Sequence, residues 1–175
     1  FYPNPFLLSS ITNNENFSFN LLNINPYTFW KELDSRKDKK NLHNFLWLSL
    51  INRKNEATII RAIIKSWINK NNTHKEIIWS NSVISQRIIS WILNANIILN
   101  SVDISFKNIF FQSIIIQINH LKKNLKFEND SSKKIEALAA ILLSGLIFKE
   151  YKENFEQYIK ELEKTLINFF DDEGF

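Results

Sequence analysis

The sequence predicts an all-α fold, and three observations carry that prediction. Apolar residues recur at three- and four-residue spacing through most of the chain beyond residue 40, which is the period of a helix buried on one side. Glycine and proline are scarce, at 2 and 3 of 175 residues, so the tight turns that hairpins need are largely missing. Hydrophobic residues make up 45% and aromatics 14%, enough for a packed core rather than a disordered chain. The length suits one domain.

Residues 1–40 read as an irregular segment that packs on the helices. Phe1-Tyr2-Pro3-Asn4-Pro5 and Asn25-Pro26-Tyr27 are turn-like, Phe17 to Leu21 alternates, and Asp34 to Lys40 is a charged linker. A helical domain is expected over 41–175. Its first helix carries Leu42, Phe45, Leu46, Trp47, Leu48 and Ile51. Asn55 is a candidate cap for the second, where Ile59, Ile60, Ile63, Ile64, Trp67 and Ile68 form a stripe before the polar run Asn69 to Lys75. The third starts near Ser82, with Ile84, Ile88, Trp91, Ile92, Ala95 and Ile98 in one line.

Asp103 is the expected cap of a fourth helix that turns Phe106, Ile109, Phe110, Ile114, Ile118 and Leu121 inward. Ile114-Ile115-Ile116 suits a strand by propensity, but the helical period runs on for nearly twenty residues around it. After the loop Glu128 to Ser132, a fifth helix reaches about Phe148 and carries Ala137, Leu138, Ile141, Leu142 and Gly145, whose small members allow close helix approach. The chain turns at Tyr151. A sixth helix carries Phe155, Tyr158, Ile159, Leu162, Leu166 and Phe169, and Asp171-Asp172-Glu173-Gly174 ends it. Short connections make successive helices antiparallel. The result is an up-down array: a toroid, a solenoid or a bundle. No fixed repeat period supports a tetratricopeptide- or HEAT-like array.

Net charge is +4, with Lys outnumbering Arg 18 to 4. Acidic and basic residues alternate, as in Lys160-Glu161-Leu162-Glu163-Lys164, which describes solvated helix faces and argues against nucleic acid as a partner. The absence of Cys excludes disulfide and thiolate chemistry. No basic start followed by an apolar run is seen, so any leader is expected to be missing or removed. The longest apolar stretch, Ala137 to Phe148, is short of the roughly twenty residues of a membrane span. There is no Gly-rich phosphate loop. Three scattered His residues lack metal-ligand spacing, so neither metal nor cofactor is expected. His43 and His74 lie in polar segments and carry no signal.

One constellation stands out: Trp79-x5-Ser85-x-Arg87-x3-Trp91. It is followed by Gln117-Ile118-Asn119-His120-Leu121, then Asn129-Asp130, Glu136-Ala137-Leu138 and Ser144-Gly145-Leu146-Ile147-Phe148, and finally Asp171 to Phe175. In order and spacing this resembles the N-terminal α/α-toroid of heparinase II/III-type polysaccharide lyases, over roughly residues 27–175. It is similar to the shortened form in alphaproteobacterial members. The resemblance implies antiparallel helix pairs forming part of an (α/α) toroid. A C-terminal β-sandwich domain of the same chain would close over it, and a periplasmic location is implied. It also implies cleavage of uronic-acid-containing glycans by β-elimination. In that reaction a Tyr or His takes the C5 proton, and an Asn or His hydrogen-bonds the carboxylate as enolate charge builds up.

The resemblance puts Asn129 at the carboxylate-binding position, and an acidic polysaccharide or oligosaccharide as partner. Trp79, Arg87, Trp91, His120 and Asp130 are candidate substrate-binding residues. Each has a plainer reading. Arg87 suits a substrate carboxylate, or a stack on Trp79 or Trp91 with bonds to loop carbonyls. Trp79 and Trp91 suit sugar rings or the core; Trp47 and Trp67 read as core. Asn129 suits a helix cap equally, and Asp130 suits a cap better than an acid. His120 ends a helix, where positive charge is favoured. Two departures bear on activity. Asp130 replaces the family's His, and the family's catalytic Tyr follows the Asp-Gly element, so this segment alone is expected to be inactive. The rival reading is a non-catalytic carbohydrate-binding or scaffold domain with a decayed site.

Overall fold

The computed structural model describes residues 25–26, 28–30, 39–50, 57–71, 77–148 and 154–172. Among the described residues every regular element is helical. The helices are α1 (Lys39–His43), α2 (Ala57–Lys70), α3 (Asn81–Leu93), α4 (Ala95–Leu99), α5 (Ile104–Asn124), α6 (Ser131–Ile147) and α7 (Phe155–Asp172). Two 3₁₀ turns, Leu46–Leu50 and Leu125–Phe127, join them to their loops.

The longer helices alternate in direction. Trp67 of α2 meets Trp91 of α3, and Arg61 near the start of α2 bonds the carbonyl of Asn100 beyond α4. Gln117 in the second half of α5 meets Arg87 at the middle of α3, while Phe110 in the first third of α5 meets Trp91 near the end of α3. Phe111 of α5 packs on Phe148 at the end of α6. Lys134 of α6 pairs with Glu161 of α7 at 2.8 Å. So α3 and α6 run one way and pack side by side, and α2, α5 and α7 run the other way. This makes a two-layer array. Its cleft-bearing end collects the starts of α3 and α6, the ends of α2 and α5, and the 3₁₀ turn Leu125–Phe127.

The core follows from the stripes. In α5, Phe106, Phe110, Ile114, Ile118 and Leu121 are buried, and Asp103 caps the helix by accepting the Phe106 amide at 2.8 Å. In α6, Ala137, Leu138, Ala140, Ile141 and Gly145 are buried, and the small ones let α3 approach closely. Each fully buried Ile or Leu contributes about 1.5–3 kcal/mol. At the other side of α3, Trp30, Phe45, Trp47, Trp67 and Trp91 form an aromatic cluster. Trp67 and Trp91 meet edge to face at 5.5 Å, and Trp30 donates to the Ile63 carbonyl at 3.0 Å. Helix α7 rests on α6; among its described side chains no apolar one is fully buried, and Thr165 is the buried one.

Two expected helices are broken. The first divides at Asn44 and Phe45. Asn44 Oδ1 accepts the Leu46 amide at 3.0 Å, which starts the 3₁₀ turn, and Phe45 adopts φ 60°. The third stops at Leu93. Asn94 turns its amide back onto the Ser90 carbonyl at 2.8 Å, competing with the backbone ladder. The chain then restarts as α4, which still buries Ile97 and Ile98. Asp171 and Asp172 belong to the last turn of α7 rather than to its end signal. Residues 1–24, Asn55, His74, Tyr151 and residues 173–175 lie outside the described residues.

Candidate functional site

The turn 77–80 leads into α3 and lays Trp79 against the last turns of α5. Ser80, at the N-cap position, donates its hydroxyl to the Ile77 carbonyl at 3.0 Å instead of capping the helix. The Trp79 ring meets the His120 imidazole edge to face at 5.3 Å. Between them and the 3₁₀ turn lies a cleft of about 270 Å³ lined by Trp79, Ser80, Asn81, His120, Asn124 and Phe127.

The loop after α5 is tied to this cleft. Asn81 donates its amide to Glu128 Oε2 at 2.9 Å, and Glu128 Oε1 takes the Asp130 amide at 3.3 Å. Asn129 lies between them and is exposed. Asp130 caps α6: Oδ1 accepts the Lys133 amide at 3.2 Å and Oδ2 pairs with the Lys133 ammonium at 2.7 Å. The Lys133 hydrogen bonds hold the Asp130 carboxyl below the usual aspartate range. Behind the loop, Glu136 accepts from Ser82 and from Gln86, whose Oε1 in turn accepts from Asn44. This polar chain fixes the start of α6 on the start of α3.

Arg87 and Trp91 sit inside. Both have no exposed surface. Arg87 Nε donates to Gln117 Oε1 at 2.6 Å, and Nη1 donates to the carbonyls of His43 at 2.9 Å and Ile78 at 3.2 Å. Its guanidinium carbon lies 4.2 Å from the centroid of the Trp67 ring, so the aromatic partner is Trp67 rather than Trp79 or Trp91. Burial pushes its pKa well below the ordinary arginine value. Ser85, the other motif residue, bonds the Asn81 carbonyl at 2.6 Å.

The structure therefore divides the sequence-predicted set. Trp79 and His120 share the cleft, and Asn129 and Asp130 lie on the loop that Glu128 ties to it. Arg87 supports the cleft from below, since it holds the carbonyl before Trp79 and the side chain one turn before His120. Trp91 belongs to the aromatic core, and among the described residues its Nε1 finds no acceptor. Sequence reasoning missed Asn81, Asn124, Phe127 and Glu128. Phe127 had a readable signal: it falls out of phase with the buried line Ile118, Leu121, Leu125. His43 was also missed. It is buried, stacks on Trp30 and accepts the Trp67 indole N–H at Nδ1 over 2.8 Å.

A larger cleft of about 750 Å³ lies between the end of α6 and the start of α7, lined in part by Gly145, Leu146, Phe155 and Gln157. It is at the opposite end of the array and gathers none of the candidate residues. Among the described residues no group of His, Cys, Asp or Glu is placed to hold a metal ion, and no helix is long and apolar enough to cross a membrane. Compared with known proteins, the chain matches no family model, no curated protein and no solved structure.

Proposed function

We propose that this chain is the helical part of a polysaccharide lyase that cleaves uronic-acid-containing glycans by β-elimination, contributing one wall of the substrate groove. The observation that carries the reading is the cleft in which Trp79 and His120 meet beside the Asn129 loop. Phe127, which is 68% exposed, offers aromatic surface to a sugar ring, while Trp79, 6% exposed and part of the core, backs the cleft. Asn129 offers an amide to the uronate carboxylate. His120 offers an imidazole suited to moving the C5 proton. The cleft also lies at the start of the 13-residue helix α3, an end that favours anions. The two-layer array suits a segment of an (α/α) toroid, closed by further helices and a β-sandwich.

The test is incubation of the full-length parent protein with alginate, heparan sulfate and related uronates. Unsaturated ends absorbing in the ultraviolet are expected. If none of these glycans yields such a product, the lyase reading fails.

A second reading, a glycan-binding domain without catalysis, is favoured by Asp130. Its carboxylate is engaged by Lys133 and the α6 amide, so it acts as a cap and not as an acid. Retention of an acidic glycan without unsaturated product supports this second reading.

A further inference from the structure

We infer that Phe127 and Lys126 form a sugar-binding subsite at the rim of the Trp79–His120 cleft, taking an anionic sugar ring by its apolar face and its acid group together. The inference rests on the glycan reading above. Phe127 is 68% exposed. Ile104 and Ile116 are exposed singly on helix faces, as is ordinary, whereas Leu146 lines the larger cleft at the other end of the array. Phe127 lines the cleft that holds Trp79 and His120, together with Ser80, Asn81 and Asn124. Apolar surface beside a few convergent polar groups is the composition of a small-molecule site.

The ring is also held in place. Leu125, two residues earlier, is buried at 5%, and its carbonyl accepts the Glu128 amide at 3.2 Å. Glu128 is in turn fastened to Asn81. The 3₁₀ turn is thus anchored at both ends, and its outward ring is presented by a fixed backbone. The Lys126 ammonium lies 4.8 Å from the Phe127 ring centroid. The ammonium lies over one side of the ring, so an acid-bearing pyranose would meet the exposed remainder of the ring with C–H groups while its carboxylate or sulfate meets the ammonium.

The test is affinity electrophoresis of the full chain in gels containing alginate, heparan sulfate or neutral dextran. The wild type should be retarded by an acidic glycan and not by dextran. Phe127→Ala should weaken the retardation about five-fold, while Phe127→Trp retains it. Lys126→Gln should weaken it and flatten its dependence on salt. The alginate and heparan sulfate gels distinguish a carboxylate from a sulfate as the anion read. Circular dichroism should show unchanged melting for all three variants, since both side chains are exposed. If Phe127→Ala binds like the wild type, or Phe127→Trp loses as much as Phe127→Ala, the subsite is wrong while the glycan reading stands. A wild type retarded by no acidic glycan overturns both.

Discussion

The guanidinium carbon of Arg87 lies over the Trp67 indole, 4.2 Å from its centroid, while Trp67 donates its own N–H to His43. Cation, aromatic ring and imidazole thereby form one stack of obligations inside the core. Among the described residues the Arg87 hydrogen bonds all end on neutral oxygens. Removing the side chain therefore strands three buried acceptors rather than freeing a carboxylate. Arg87→Met is expected to cost about 3 kcal/mol or more, from the usual penalty for orphaned buried polar groups. Arg87→Lys should fail to rescue it, because a single ammonium nitrogen cannot stand at both the Nε position that serves Gln117 and the Nη1 position that serves the two carbonyls. Urea unfolding measures both; a midpoint within error of wild type for either would contradict the arrangement.

Phe45 couples two opposed demands. Its backbone sits at φ 60°, where a Cβ is costly, and its ring is fully buried among Trp47, Trp67 and Trp91. Losing the ring should cost about 3–5 kcal/mol. Glycine alone tolerates this φ without strain. Phe45→Gly should therefore be no less stable than Phe45→Ala, the reverse of the order in regular helix. Thermal melts of the two variants decide it.

Acid should act on the start of α6. The Asp130 carboxyl is held below its usual range by Lys133. A depressed carboxylate contributes stability that is present above the unfolded aspartate pKa and lost as pH falls through the folded one. Asp130→Asn keeps a capping side chain but does not titrate. Wild type and variant should thus diverge near neutral pH and converge in strong acid. Melting curves at a series of pH values check this, and a gap that stays constant would exclude the Asp130–Lys133 link.

Ser82 and Glu136 should behave as one unit. Glu136 also serves Gln86, so Glu136→Ala removes the acceptor of two donors. A double-mutant cycle of Ser82→Ala with Glu136→Ala should give a coupling of about 0.5–3 kcal/mol. Strict additivity would mean the contact carries no energy.

The fold was legible where the apolar period ran unbroken. The α5 stripe and its Asp103 cap can be read from the sequence because every determinant lies within one helix. The breaks at Asn44–Phe45 and Asn94 cannot, since the surrounding apolar residues keep a helical spacing on both sides of a side-chain bond. The candidate site was legible in part. Trp79 and His120 are 41 positions apart in the sequence, and only the family-like motif order joined them. His43 was invisible because its partner Trp67 is 24 residues away. Arg87 offered a surface and a core reading with equal chemistry; burial decides between such readings, and burial belongs to the assembled array.

The shallow seating of α7 has a consequence for how the molecule opens. Among the described residues α7 is held to α6 and α5 by half-buried side chains such as Tyr158 and Leu162, a Lys134–Glu161 pair and a Lys122–Tyr158 contact, with no fully buried apolar anchor. It should detach as a unit well below the free energy of global unfolding, exposing the outer side of α6 while the aromatic core stays intact. In hydrogen exchange, the amides of α7 should then lose protection together and early, and those around Trp67, Arg87 and Trp91 last. The protein would have a durable half and a lendable half, with the Trp79–His120 cleft set on the durable one.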